Sequence, residues 1–109
     1  MSITVNLYYT GAAGKARAFA EEMISGGTVK AIREEPGNLR YEYFFPLERP
    51  DTVLLIDSWE NQEAIDRHHH SPMMAKIMEL REKYDLHTQM ERFVSVDEVP
   101  QKDMAFLRK

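Results

Sequence analysis

The chain contains no cysteine. Disulfide bridges, thiolate nucleophiles, iron–sulfur clusters and cysteine-ligated zinc are therefore excluded. Long apolar runs are missing as well: none approaches the ~20 residues that a helix needs to cross a bilayer, so no membrane partner is expected. Basic residues are in the minority, 14 Lys and Arg against 18 Asp and Glu, and they form no cluster. Nucleic acid is not an expected partner either, because binding it needs a local excess of positive charge against phosphate. Glycine is scarce, and no phosphate-binding loop can be built from it. Gly11-Ala12-Ala13-Gly14 follows a strand and opens a helix, but it lacks P-loop and dinucleotide spacing. Repeats and low-complexity stretches are also missing.

What remains is ordinary globular composition, 43% hydrophobic and 29% charged, in a length that suits one domain and is too short for two. Residues 1–109 read as a single domain, with a core over about 2–96 and a polar tail over 97–109. The first strand candidate begins at Ile3, leaving no room for a charged segment and an apolar one before it. A cytoplasmic location is the expectation.

The order of elements follows from changes of period. Residues 2–10 are rich in β-branched and aromatic side chains and stop at Gly11; this is a strand, with Ile3, Val5, Leu7 and Tyr9 on one face and Thr4, Asn6, Tyr8 and Thr10 on the other. Ala16, Phe19, Ala20, Met23 and Ile24 then recur at helical spacing until Ser25-Gly26-Gly27 ends the run. A short helix over 29–34 follows, capped by Thr28. Pro36-Gly37 suits the centre of a type II turn, and a second strand covers 39–45 with Tyr41, Tyr43 and Phe45 on one face. The apolar third strand, 53–59, reads as a central strand covered on both faces. Asn61 caps a helix bearing Ala64, Ile65 and His68 on one side. Ser71-Pro72 restarts it, serine at the cap and proline at the first helical position. The last strand is placed at 89–96.

The resulting order, β-α-β-β-α-β, is the split βαβ arrangement of an α+β, ferredoxin-like domain, with helices on one sheet face. The opposite face needs a cover. Ile3, Val5, Leu7 and Leu54 are assigned to it, and a second subunit is the expected cover, making a homodimer. Met104, Phe106 and Leu107 are too apolar for a purely solvated end, so the tail is expected to dock along its own sheet edge or across the partner.

Two stretches carry a family resemblance. One runs Asp57-Ser58-Trp59-Glu60-Asn61-Gln62-Glu63-Ala64-Ile65-Asp66-Arg67-His68 and continues at Ser71-Pro72-Met73; the other is Glu35-Pro36-Gly37-Asn38-Leu39-Arg40-Tyr41. In that order and on that frame they resemble the antibiotic biosynthesis monooxygenase family, which includes quinol monooxygenases. The resemblance spans about residues 2–96. It implies a dimeric α/β barrel with a cofactor-free pocket for molecular oxygen and a planar phenol, quinol or enol. It departs at Met73, where many members carry a second histidine. Haem degradation on the same fold is disfavoured, since Met78 stands where those relatives have their axial histidine.

His68 shares the apolar face of its helix, and an imidazole there can take a proton from a phenol or enol near neutral pH. The resemblance implies the same role for it as catalytic base. It also implies that Asn6 faces the pocket as a polar stabiliser, the second catalytic candidate. Trp59, Tyr43, Phe45 and Met73 are the candidate substrate-binding walls. Each also has a plainer reading: a core histidine, an exposed strand asparagine, core aromatics and a filler methionine. His69 and His70 do not make a metal site with His68, because consecutive helical residues point ~100° apart; no metal is expected. His70 is placed in a solvent-facing pair with Asp66. An isomerase using the same pocket, or a binding module without catalysis, are the alternatives.

Overall fold

A computed structural model describes residues 1–108. Four strands, β1 (Ile3–Thr10), β2 (Asn38–Phe44), β3 (Thr52–Trp59) and β4 (His87–Val94), form one antiparallel sheet in the order β2-β3-β1-β4. Each crossover carries two helices on the same sheet face: α1 (Lys15–Ser25) with α2 (Thr28–Arg33), and α3 (Gln62–His69) with α4 (Pro72–Lys83). A single-turn helix, α5 (Gln101–Met104), lies in the tail. This is the expected α+β, ferredoxin-like fold.

Local chemistry sets the boundaries. Asn61 caps α3 by accepting a 2.9 Å hydrogen bond from the Ala64 N–H, which satisfies one of the donors a helix start leaves unpaired. Ser71 precedes Pro72 as expected, but its hydroxyl makes no cap bond. It donates instead to the His68 carbonyl at 2.7 Å and ties the end of α3 to the start of α4. The last strand begins two residues before the expected start, at His87. Asp85 takes a left-handed turn (φ 51°) directly after α4 and returns the chain to the sheet at once.

Register decides which side chains share a face. Ile3 pairs with Trp59, Val5 with Asp57, Leu7 with Leu55 and Tyr9 with Val53. These residues face the helices, and Tyr9, Leu55 and Val53 pack in the core with Phe19, Met23 and Ile32. The expectation that Ile3, Val5 and Leu7 lie on the uncovered face is therefore corrected. Leu54 does lie there: it pairs with Tyr8 and Phe44, and Ile56 pairs with Asn6, so the helix-free face carries these side chains. Leu54 and Ile56 remain only half-buried, because no helix covers that side of β3.

The helices pack over β1, β2 and β3. The residues of β4 all stay exposed. Beyond Ser95, which exchanges hydrogen bonds with Ser2, the tail leaves the body. Phe106 is 90% exposed, so the tail does not dock along its own sheet edge; Lys109 lies outside the described residues. The Cα radius of gyration, 15.5 Å, exceeds the ~13 Å expected of a compact chain this long, as a projecting arm requires.

Candidate active site

Because the helices stop short of β4, the layer between sheet and helices is sealed on one side and open on the other. The open side holds a cavity of about 320 Å³, in the size range of small-molecule sites, roughly 300–1,000 Å³. Val5, Leu7 and Met90 line it from the sheet, and Ile65, Met74 and Ile77 from α3 and α4. Met74, Ile77 and Arg81 recur at i, i+3 and i+7, one flank of α4.

His68, Trp59 and Asp57 bring polar groups into this apolar space. His68 is 4% exposed and borders the cavity. Its Nδ1 lies 2.8 Å from Glu35 Oε2. An ionised carboxylate only accepts, so Nδ1–H is the donor and Nε2 is left as the basic nitrogen. Glu35 reaches His68 because of the turn that follows it. Asn38 N–H donates to the Glu35 carbonyl at 3.1 Å, and Gly37 has φ 86°, as a type II turn demands. A Cβ at Gly37 would stand 2.6 Å from that of Ala64 on α3; glycine thus permits the close approach that brings Glu35 against that helix.

Trp59 stacks on the His68 ring, centroids 4.8 Å apart and planes 30° from parallel. Its Nε1–H donates to Asp57 Oδ1 at 2.5 Å, an orientation that places the Asp57 carboxyl in the cavity wall. Burial pushes the Asp57 pKa up to about 7, against the downward pull of the Trp59 N–H; the charge of Glu35 raises it further. Burial lowers the pKa of His68, and the Glu35 bond and charge only partly restore it. Near neutral pH the cavity therefore holds a neutral imidazole beside a carboxyl that can exist in either form. Such a pair can take and give protons without large driving forces.

The structure brings His68 and Trp59 together and leaves the other four sequence candidates outside the cavity. Asn6 lies on the helix-free face, where its Oδ1 is buried without a hydrogen-bond partner; strand alternation sends it away from its neighbours Val5 and Leu7. Tyr43 packs edge-on against Phe19 (6.1 Å) and Tyr41 (5.9 Å) within the core. Phe45 follows the end of β2 on the surface, with the Arg17 guanidinium 4.1 Å above its ring. Met73 sits beside Gly26-Gly27 between α2 and α4; the next residue, Met74, takes the cavity position. His70 is not paired with the Asp66 carboxylate. Its Nδ1–H donates to the Asp66 backbone carbonyl at 2.7 Å, while the carboxylate accepts from Gln62.

Glu35, Asp57, Arg81 and Arg92 were not singled out from sequence. Asp57 carried a legible signal, a lone acid on the inward face of an apolar strand. Glu35 stood inside a recognised motif, but its contact with His68 spans 33 residues. Among the described residues no three His, Asp or Glu side chains gather as a metal-binding group. No described helix is long and apolar enough to cross a membrane.

An antiparallel α+β domain with helices on one sheet face and an apolar cavity between the layers defines the class of fold. The sequence profile of the antibiotic biosynthesis monooxygenase family matches residues 2–80, and the chain belongs to that family. Among curated proteins no sequence matches. Among solved structures, a Deinococcus radiodurans protein provisionally assigned as an antibiotic biosynthesis monooxygenase superposes with a TM-score of 0.75 at 18% identity, covering 92% of this chain and 97% of that one. A Pseudomonas aeruginosa protein gives 0.73 at 21%, over 87% and 94% of the two chains. SnoaB, a cofactor-independent oxygenase from Streptomyces nogalater, gives 0.65 at 14%, over 92% and 98%. At these identities the superpositions establish the fold.

Proposed function

We propose that the protein is a cofactor-independent monooxygenase acting on a planar phenol, quinol or enol, with His68 as the base. The observation that carries this reading is the buried Glu35–His68 bond at the edge of an apolar cavity. It leaves one basic nitrogen where a ring hydroxyl can meet it. Family membership and the fold shared with SnoaB support the same reading.

The chemistry balances without a further reductant. His68 Nε2 takes the substrate proton, and the electron-rich anion passes an electron to oxygen. The radical pair joins as a carbon-bound peroxide, which the imidazolium or the Asp57 carboxyl protonates. Loss of water, with the carbon's own hydrogen, then leaves one oxygen atom as a carbonyl and the other in water. Apolar walls assist by excluding the solvent that would stabilise the anion against oxidation. Trp59 stacks on the base and holds Asp57, while Met74 and Met90 shape the space for the ring.

Single-domain organisation over 1–109, a cytoplasmic location and a homodimer belong to the same proposal. The helix-free face with Tyr8, Leu54 and Ile56, the orphaned Asn6 Oδ1 beneath it and the projecting apolar tail all suit a second copy, whose donors would satisfy that oxygen. Asn6 then acts in assembly and not at the reacting atoms.

Oxygen consumption with a panel of naphthols and quinols tests the activity. Turnover with oxygen uptake that is lost in His68→Gln is expected; uptake that is unchanged in this variant removes the reading. A second reading has a specific observation behind it. Two acid–base groups, Asp57 and His68, share one cavity, which suits an isomerase that shuttles a proton in an enol. Product formation without oxygen uptake would select it.

A further inference from the structure

The cavity is open along β4, and one hydrogen-bonded chain crosses the opening. Val5 of β1 pairs with Asp57 on β3 and with Arg92 on β4, so the three form one row across the sheet, and all three border the cavity. From the end of that row the Arg92 guanidinium donates to Gln62 Oε1, on the first residue of α3. The Gln62 amide donates in turn to Asp66 Oδ1 at 2.9 Å, one helical turn along. A cation on β4 is thus joined to an anion on α3 through a neutral amide. Among the described residues this is the one side-chain hydrogen bond from β4 to a helix.

The chain of contacts lies at the surface. Gln62, Asp66 and Arg92 are all exposed, whereas Trp59, in the wall of the same cavity and bonded to Asp57, is 1% exposed. Arg92 spans the two environments: its aliphatic stem suits the apolar wall while its charged head stays in water. A bond between exposed groups contributes little stability and opens readily. No packed helix holds β4 in place, since all its residues are exposed. The far end of the cavity, in the Tyr9–Thr88 row, is built differently. Arg81 borders the cavity there, beside Leu86 and Thr88, but its ion pair is with Glu82 on its own helix.

We propose that Arg92–Gln62–Asp66 is a strap over the Asp57–Trp59 end of the cavity, which opens to let a small molecule in and closes behind it. Opening needs only side-chain rotation of exposed residues, a motion of picoseconds to nanoseconds, and no shift of a helix. Closure keeps water from the apolar space, and acid–base chemistry at Asp57 and His68 gains from that exclusion. The strap serves an oxygenase, an isomerase or a binding module equally, so it stands apart from the choice among them.

Trp59 is the one tryptophan of the chain. Quenching of its fluorescence by acrylamide, a small neutral molecule, therefore reads access to this end without any substrate. The lifetime-corrected quenching constant should rise roughly twofold to fivefold in Arg92→Met and in Gln62→Ala, the population change that one exposed charged bond supports. Arg81→Met, at the other end, should leave it unchanged. Because the chain has no cysteine, the double variant Gln62→Cys with Arg92→Cys can be joined by a short bismaleimide. Joining should lower the constant below that of the same variant before linkage, a comparison made within one folded protein. Equal constants in wild type, Arg92→Met and Gln62→Ala would overturn the inference. So would an equal rise in Arg81→Met, or a linked variant quenched as fast as the unlinked one.

Discussion

The two halves of the helix-facing layer are built on the same antiparallel ladder and end differently. Over β2 and β3 the layer is full: Phe19, Met23, Ile32, Tyr41 and Leu55 are buried to 1% exposure or less. Over β1 and β4 it holds a cavity whose wall includes the charged or titratable side chains of Asp57, His68, His69, Arg81 and Arg92. Both halves use large apolar residues, so composition does not separate them. Coverage does. The helices pack over β1, β2 and β3, while the residues of β4 stay exposed, and the half-covered strip can admit a ligand. Tight packing is concentrated in one half and ionisable side chains in the other, where packing is incomplete.

Truncating the sealed half should have the largest effect. Phe19→Ala or Leu55→Ala should cost about 3–5 kcal/mol in denaturant unfolding, through lost burial and the cavity left behind. Met90→Ala, in the open half and already exposed, should cost less than about 1 kcal/mol. Equal costs would mean that the cavity is as well packed as the core, and the comparison would fail.

The second test uses the buried carboxyl. The fold holds Asp57 with a pKa near 7, against an ordinary 3.8. Between those values the folded chain keeps a proton that the unfolded chain has lost. Asp57 therefore supports the fold at low pH and loses that contribution as pH rises from about 4 to about 7. Relative to Asp57→Asn, the wild type should lose stability across this window, on the order of a few kcal/mol in total. His68 titrates in the opposite sense over the upper part of the window: its lowered pKa makes the neutral form the one the fold prefers. The difference between wild type and variant, and not the wild-type curve alone, is what unfolding at several pH values must report. A difference that does not vary with pH would mean that Asp57 is ionised throughout.

A smaller effect is expected at Glu35. Glu35→Gln keeps an acceptor for Nδ1 but removes the charge, and about 1–3 kcal/mol of stability should go with it. The bond and the charge both raise the His68 pKa, so in the variant that pKa should fall further, as NMR titration of the ring would record. An unchanged His68 titration would show that Glu35 only fills space. Smallest of all, Phe45→Ala removes a surface cation–π contact with Arg17 and should cost under about 1 kcal/mol. It should leave ligand binding untouched. A loss of binding in that variant would put the site on the other half of the sheet.

Much of this could be read from the chain before any coordinates. Period changes located the four strands and both helical crossovers, and placed His68 and Trp59 on the inward faces of their helix and strand. The errors share one cause. Asn6 is polar amid apolar neighbours, but alternation within a strand says only that it opposes Val5 and Leu7. Which of the two faces meets the helices depends on how the crossovers pack. Met73 and Met74 differ by one step on a helix, about 100°, and chemical type does not reveal which of them faces the gap. Tyr43 and Phe45 were read as one row, yet β2 ends at Phe44 and the row ends with it.

By itself, then, the sequence determined the four strands, the two helical crossovers, their order and the inward-facing placement of His68, because these depend on local spacing and side-chain chemistry. Tertiary structure alone decided that Glu35 orients His68 across 33 residues. It also decided that Asp57 is buried deeply enough to hold a proton near neutrality, and that Arg81 and Arg92 border the same cavity. Each of these depends on contacts between distant segments and on the dielectric that burial creates. A pKa or a cavity is a property of the packed assembly of side chains, and no stretch of chain carries it alone.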